Sequence, residues 1–281
     1  MKKLTKQAIS LLTVLLMVCA MLPMAAFAVD HAKVEYPTLV KKVNGQDSTS
    51  AAAGDIVKFT LTSSVPADLW KCFDFDVGGE VTTQSDGNLG TPIGGASYTL
   101  TFHDEMAAEL SMVAGSMAVT IGNTTLTGEN YTYTADTGDD CTFHVTLDLV
   151  ALYENGIIID DDYRDQTPIV VTYDATLADD ATAGTYTNTS RVSWEKEIVD
   201  RGDSTDPQPD PGESEEDEVE VDTYDIQLTK IDNASNTPLA GAEFKLEKYD
   251  PTNESADEDG WIQIGEEKTT GTDGIVQWQG F

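Results

Sequence analysis

The sequence predicts an all-β protein, with β-sandwich domains in tandem. Three observations carry that expectation. Apolar and polar residues alternate over short runs, as they do in strands whose successive side chains face opposite sides of a sheet. The runs are bounded by Gly, Asn, Asp and Pro clusters that favour turns. No long stretch repeats its apolar residues with the 3.6-residue period of an amphipathic helix, so the strands have only one another to pack against.

The 281-residue chain opens with a segment of a different kind. Lys2, Lys3 and Lys6 precede a largely apolar run from Ile9 to Leu22, and Ala26-Phe27-Ala28 gives a small-x-small cleavage pattern. Residues 1–28 read as a secretory signal peptide. No later run approaches the roughly 20 apolar residues of a membrane span. The whole chain carries 50 acidic and 16 basic residues, a net charge of -34. That balance disfavours nucleic acid and anionic membrane as partners and suits a soluble extracellular surface. The short clusters Asp139–Asp140, Asp160–Asp162 and Asp179–Asp180 lack the twelve-residue spacing of a calcium loop and read as solvated turns. No cofactor and no metal site is expected.

The first strand-like run is Pro37 to Gly45, PTLVKKVNG, closed by the turn signal Asn44-Gly45. Leu39, Lys41 and Val43 share one face. If that face meets the core, the Lys41 ammonium enters apolar surroundings, which is costly unless it is paired or neutralised. Alternation alone leaves open a sheet that presents its other face, or a lysine that snorkels to water. Ile56 to Thr62 and Leu69 to Val77 follow as β-rich runs, and Glu80 to Ala96 reads as a loop or weak strands. In Ser97 to Asp104, residues Tyr98, Leu100, Phe102 and Asp104 share a face, again ending in a charge. Glu105 to Leu110 allows one helical turn. Met117–Ile121, Tyr131–Thr134, Thr142–Leu149 and Thr167–Asp174 read as strands. In Thr185 to Trp194, residues Tyr186, Asn188, Ser190 and Val192 lie together.

Asp200 to Glu220 holds three prolines, many acids and few core formers, and reads as an extended linker. Its Arg201-Gly202-Asp203 is too short a match to integrin-binding tripeptides to carry weight. Beyond it, Ile226, Leu228 and Lys230 share a face, so a lysine again lies among apolar residues as in the first strand, and Ala240–Tyr249, Trp261–Ile264 and Gly274–Trp278 read as further strands. About 60 residues is little material for an independent sandwich, so this domain reads as truncated at Phe281.

After residue 28 the cysteines are Cys72 and Cys141. A secreted setting permits a disulfide between them, but sequence gives no distance. His31, His103 and His144 fall in no HExxH motif, and the chain has neither a phosphate-cradling glycine loop nor a GxSxG elbow. What stands out instead is a trio of polar groups on apolar strand faces: Lys41, Asp104 and Asn188. Gathered in one core, they are the reactants of a single step. A neutral lysine amine attacks the asparagine carbonyl, a protonated acid polarises that carbonyl and shuttles protons, and ammonia leaves.

PTLVKKVNG, GDIVKFTLTSSVP, LTFHDEM and TYTNTSRVSW together resemble the isopeptide-forming domain of Gram-positive sortase-assembled backbone pilins. YDIQLTKIDNASNTPLAGAEFKL resembles the opening of a collagen-adhesin B-type (SpaA-like) domain. The resemblance implies immunoglobulin-like β-sandwich domains in tandem: a fimbrial domain over 33–199, a linker over 200–221 and a partial B-type domain over 222–281. It implies a structural pilus subunit at the cell surface that is not an enzyme in the turnover sense, with other pilin subunits and a sortase as partners. Lys41 matches the isopeptide lysine, with Lys42 as the one-residue alternative. Asn188 matches the acceptor, and Asp104 the assisting acid. Lys230 matches the lysine of the second domain, whose partner would lie beyond Phe281. The alternative is a surface adhesin or minor pilin that contacts host surface or matrix proteins through the loops 80–96 or 122–140. An LPxTG sorting signal is absent, and Tyr36-Pro37 runs into Thr38-Leu39 where a polymerising YPKN-like lysine motif is expected.

Overall fold

In the computed structural model the described residues are 36–74, 89–135, 137–199, 207–249 and 259–281. The signal segment, the Arg201–Asp203 tripeptide and most of the Glu80–Ala96 loop lie outside them. The described residues belong to one unit, Glu35–Phe281.

In chain order, the first part runs β1 (Val40–Val43), β2 (Ser48–Ser50), β3 (Ile56–Ser64), a 3-10 turn (Leu69–Cys72), β4 (Phe73–Asp74), β5 (Thr91–Pro92), β6 (Ser97–Met106), β7 (Leu110–Met112), β8 (Ala118–Ile121) and β9 (Thr124–Thr125). It continues with β10 (Thr132–Ala135), β11 (Phe143–Asp148), helices α1 (Leu149–Glu154) and α2 (Asp160–Asp165), β12 (Pro168–Leu177), β13 (Gly184–Val199), β14 (Pro207–Glu213) and β15 (Asp217–Thr223). The second part has β16 (Ile226–Thr229), β17 (Glu243–Tyr249), β18 (Trp261–Thr269) and β19 (Ile275–Trp278).

Two sheets face each other. One has the order β1-β3-β12-β8-β9, with β7 also on β12; the other has β10-β11-β6-β13-β15-β2, with β14 also on β13. Strict alternation makes the sandwich. Val57, Phe59 and Leu61 of β3 and Ile169, Val171, Tyr173 and Ala175 of β12 are buried from one side, and Tyr98, Leu100 and Phe102 of β6 and Phe143, Val145 and Leu147 of β11 from the other. The polar residues between them face outward, so a register slip of one residue would turn this core to water. Asp148 caps α1 by accepting from the backbone N–H groups of Val150 and Ala151.

Three expectations need correction. The acidic stretch after Asp200 is not an extended linker in its described part. Residues 207–213 and 217–223 run back antiparallel along β13, pairing Val199 with Pro207 and Gly184 with Thr223. Val219 and Val221 are fully buried between outward-facing acids. Two valines at period two suffice to hold a strand on an existing sheet despite the charge around them. The first domain therefore extends to Thr223. Glu105–Leu110 holds no helical turn: β6 runs to Met106 and β7 begins at Leu110.

The third correction concerns the cysteines. Cys72 and Cys141 are both free and both buried. Cys72 Sγ donates to the Ser97 carbonyl at the start of β6, whereas Thr142, next to Cys141, donates its N–H to the Asp104 carbonyl near that strand's far end. Seven residues of strand span about 23 Å, and a disulfide tolerates Cα atoms no more than about 7 Å apart.

The second part is two ribbons, β16-β19 and β17-β18. Among its described residues, Val276 and Trp278 are the buried apolar ones, and the Trp278 indole N–H donates to the Glu266 carbonyl. Tyr224 and Phe281 exchange backbone hydrogen bonds, and the Gly280 carbonyl accepts from Ala53 N–H of the first part at 2.7 Å. Gly280 has φ +74°, and a Cβ there would lie 2.5 Å from the Ala181 carbonyl oxygen. No other residue fits both constraints without displacement.

Two measurements check this architecture. Without reductant, the chain lacking residues 1–28 should show two free thiols on denaturation. Natively Cys72 should resist alkylation at neutral pH, because burial, reinforced by Asp68, pushes its thiol up to about 12. Gly280→Val should release the seam to the first part, read as faster amide exchange at Ala53 with the β6 amides unchanged.

Candidate functional site

Lys41, Asp104 and Asn188 meet in the centre of the sandwich. Each is fully buried. The strand faces that place them are those read from alternation: Leu39, Lys41 and Val43 point inward from β1, Tyr98, Leu100, Phe102 and Asp104 from β6, and Tyr186, Asn188, Ser190 and Val192 from β13. β1 is the edge of one sheet, while β6 and β13 are neighbours in the other, with Asp104 opposite Ser190. The lysine therefore reaches its partners across the inter-sheet space.

Lys41 Nζ lies 2.7 Å from Asp104 Oδ2, 2.5 Å from Asn188 Oδ1 and 2.6 Å from Ser190 Oγ. An ammonium has three protons to donate, and these are three acceptors. Ser190 Oγ in turn donates to Asp104 Oδ2 at 2.9 Å. The Tyr173 hydroxyl donates to Asp104, 2.9 Å from Oδ1, and accepts from Asn188 Nδ2 at 2.6 Å. The five side chains close a ring of hydrogen bonds that holds the asparagine carboxamide with its oxygen toward Lys41 and its nitrogen toward Tyr173.

The walls of the site are aromatic. The Phe59 ring centroid is 5.6 Å from Lys41 Nζ, Phe59 stacks on Tyr173, and Phe143 meets Tyr173 edge-on. Burial in these surroundings lowers the Lys41 pKa, against the opposing pull of Asp104 and Asp217. Burial, reinforced by the Asp104 charge, drives Tyr173 well above the usual phenol range, so it stays protonated and donates. Moving one proton over the 2.7 Å from Lys41 to Asp104 converts a buried ion pair into an uncharged one, the form that low dielectric favours. In that form the amine carries a lone pair beside a carbonyl, and a carboxylic acid stands ready to donate.

Lys42 points the other way, half-exposed, and pairs with Asp47 on the surface. Lys230 is exposed, one residue past β16, with its backbone N–H on the Gly274 carbonyl. Sequence reasoning missed Ser190 and Tyr173 as members of the site. The signal for Ser190 was its place two residues from Asn188 on the same face. Tyr173 was the one polar-tipped side chain in the buried row Ile169, Val171, Tyr173, Ala175 and Leu177.

A second buried lysine provides a contrast. Lys196 of β13 pairs with buried Asp68 and, at 2.8 Å, with half-exposed Asp210, and lies over the rings of Tyr36 and Tyr98. Burial lowers its pKa, but its hydrogen bonds to Asp210 and Asp68 outweigh that and the net shift is upward. Lys196 thus stays an ammonium in an ion pair, while Lys41 is pushed toward the free amine.

Comparison with known proteins bears on the fold. Residues 224–281 match the family model of the SpaA prealbumin-like fold domain. No curated protein sequence matches the chain. Among solved structures, it is similar to the 35 kDa C-terminal fragment of the major pilin GBS80 of Streptococcus agalactiae. That match has 20% identity and a TM-score of 0.54, and covers 87% of this chain and 79% of the fragment. The T6 backbone pilin of Streptococcus pyogenes matches at 18% identity and TM-score 0.48, and BcpA, the major pilin subunit of Bacillus cereus, at 16% and 0.47. Both cover 87% of this chain but only 46% and 56% of theirs, so the chain spans about half the length of those pilins. The first of these likenesses shows the fold: immunoglobulin-like and prealbumin-like β-domains in tandem, in the arrangement of a major-pilin fragment.

Proposed function

We propose that this chain is a structural subunit of a cell-surface pilus whose first domain locks itself with an intramolecular isopeptide bond between Lys41 and Asn188. The observation that carries the reading is the fully buried Lys41 amine 2.5 Å from the carboxamide oxygen of Asn188, with Asp104 bridging to both through the hydrogen-bond ring. Lys41 Nζ attacks Asn188 Cγ, and the Cγ–Nδ2 bond breaks. One amine proton reaches Nδ2 by way of Asp104, so the products are a secondary amide and ammonia. Tyr173, donating to Asp104 and accepting from Nδ2, positions both groups. The side chains are consumed, so the step occurs once per chain and is not enzymatic turnover.

The fold likeness to a major-pilin fragment and the SpaA-type match over 224–281 support the pilus assignment, and with it secretion, a cell-surface location and sister subunits as partners. A sortase that joins the subunits, and a second cross-link at Lys230, belong to the same reading.

Intact mass spectrometry tests the bond. The purified chain should be about 17 Da lighter than its sequence, the mass of the ammonia lost when the new amide forms. Lys41→Met and Asp104→Ala should keep the full mass; an unmodified wild-type mass would overturn the assignment. Tyr173→Phe should still react but more slowly, with the full-mass species visible early after expression. A covalent tie between residues 147 apart should raise stability against unfolding by about 5 kcal/mol through loop closure. Denaturant unfolding of linked and unlinked chains reads that difference.

A further inference from the structure

On the outer face of the same sheet, His103 of β6 and His144 of β11 stand directly opposite each other in register. The turn before β11 brings Asp139 and Cys141 over them. One ligand atom from each of the four side chains lies within 4.8 Å of the other three. We propose that His103, Asp139, Cys141 and His144 form a binding site for a divalent transition metal of the zinc type, which clamps the 137–141 turn to strands β6 and β11.

The donor set fits that metal class. Two imidazoles, a thiol and a carboxylate are the nitrogen, sulfur and oxygen ligands that zinc takes in tetrahedral sites. Calcium and magnesium prefer oxygen alone. Tetrahedral zinc places its ligand atoms about 3.3–3.8 Å apart. His103 Nδ1 and His144 Nε2 lie 2.8 Å apart and His144 Nε2 and Asp139 Oδ2 3.2 Å apart, so small side-chain rotations reach the required spacing.

The surroundings hold these ligands in place. His103 Nε2 lies 2.7 Å from Ser193 Oγ. With that nitrogen donating its proton to the serine, the Nδ1 lone pair faces His144, the outer hydrogen bond that fixes the tautomer of a metal-binding histidine. The turn is braced from within: Asp139 Oδ1 accepts from the Thr137 hydroxyl and from Cys141 N–H, and Thr137 Oγ1 donates to the Cys141 carbonyl. Arg191 Nη1 donates to Cys141 Sγ at 3.7 Å and so helps fix where the sulfur sits.

The step balances without electron transfer. The ion takes the His103 Nδ1 lone pair and replaces the proton on His144 Nε2, which moves to Nδ1 of the same ring. The Cys141 thiol releases its proton to solvent, and Asp139 binds as the carboxylate. One proton is released per ion, and two negative ligands neutralise a dication. The pattern was hidden in the sequence because His103 is far from the other three along the chain and only the β6–β11 register brings it to them.

The test uses the metal-free secreted chain in a non-thiol reductant. Cobalt(II) should saturate at one ion per chain with a thiolate-to-metal charge-transfer band, and zinc should displace it. Cys141→Ser should abolish the band, His144→Gln should weaken zinc binding at least tenfold, and Cys72→Ser should change neither. In the wild-type chain, zinc should slow iodoacetamide alkylation of Cys141 at least tenfold by the same ligation, as read by peptide mass spectrometry. That readout does not depend on how a variant folds. No saturable band, no protection of Cys141, or zinc affinity unchanged in Cys141→Ser and His144→Gln would overturn the proposal and leave only diffuse binding to the acidic surface.

Discussion

The structure turns on the desolvation of one amine. Lys41 is carried by the edge strand β1 into the space between two sheets, with aromatic rings around it and no access to water. An isolated ammonium there would cost far more than a domain's net stability. The fold meets this by concentrating polar groups at a single point. Asp104, Asn188, Ser190 and Tyr173 are all buried, and all bond to Lys41 or to one another. Among the described residues, the one buried side-chain polar atom without a partner is Ser63 Oγ, in β3. Removing any one member of the ring strands the others in an apolar core. Under the proposed bond the same arrangement that makes the ring tolerable also sets up the reaction, because burial pushes Lys41 toward the free amine beside the Asn188 carboxamide.

Legibility in the sequence follows the period of two. Where a strand alternates cleanly, its inward face is readable, polar exceptions included, and that is why Lys41, Asp104 and Asn188 stand out from residue order alone. Reading fails where composition obscures alternation. DEVEVDT is mostly acid, yet Val219 and Val221 alternate within it as regularly as the residues of β6, and they are enough to build β15 onto β13. Tyr173 is hidden for the opposite reason: its ring belongs in an apolar row, and only its hydroxyl, at the tip, joins the chemistry. The unpaired state of the cysteines is beyond sequence altogether, since it depends on which ends of β6 they approach.

Topology gives the buried ring its mechanical meaning. Lys41 lies near the start of the first domain, and Asn188 lies on β13, the strand against which the domain's last residues, through Thr223, fold back. Under the proposed bond, tension that enters ahead of β1 passes from Lys41 straight into β13. The 147-position span between the two residues is removed from the load path. The β1–β3 ladder beyond Lys41, which would otherwise peel from the sheet edge, then carries none of it. A disulfide between Cys72 and Cys141 would have enclosed only part of that span, leaving β1 free to detach.

Strand β6 is where these constraints meet. Asp104 points inward to the ring, and its neighbour His103 points outward to His144, Ser193 and the 137–141 turn. Phe143, opposite Asp104 on β11, packs its ring edge-on against Tyr173 and so forms part of the wall around the amine. Adjacent residues of a strand cannot move independently, because a displacement of one peptide plane turns both side chains. A turn held firmly on the outer face therefore restricts the freedom of Asp104 and Phe143 on the inner one. The proposed reaction needs three groups held within hydrogen-bond distance for as long as one bond takes to form. Rigidity of β6 is thus a condition of the chemistry as much as of the fold, and the outer-face cluster is placed where it would add to that rigidity without entering the core.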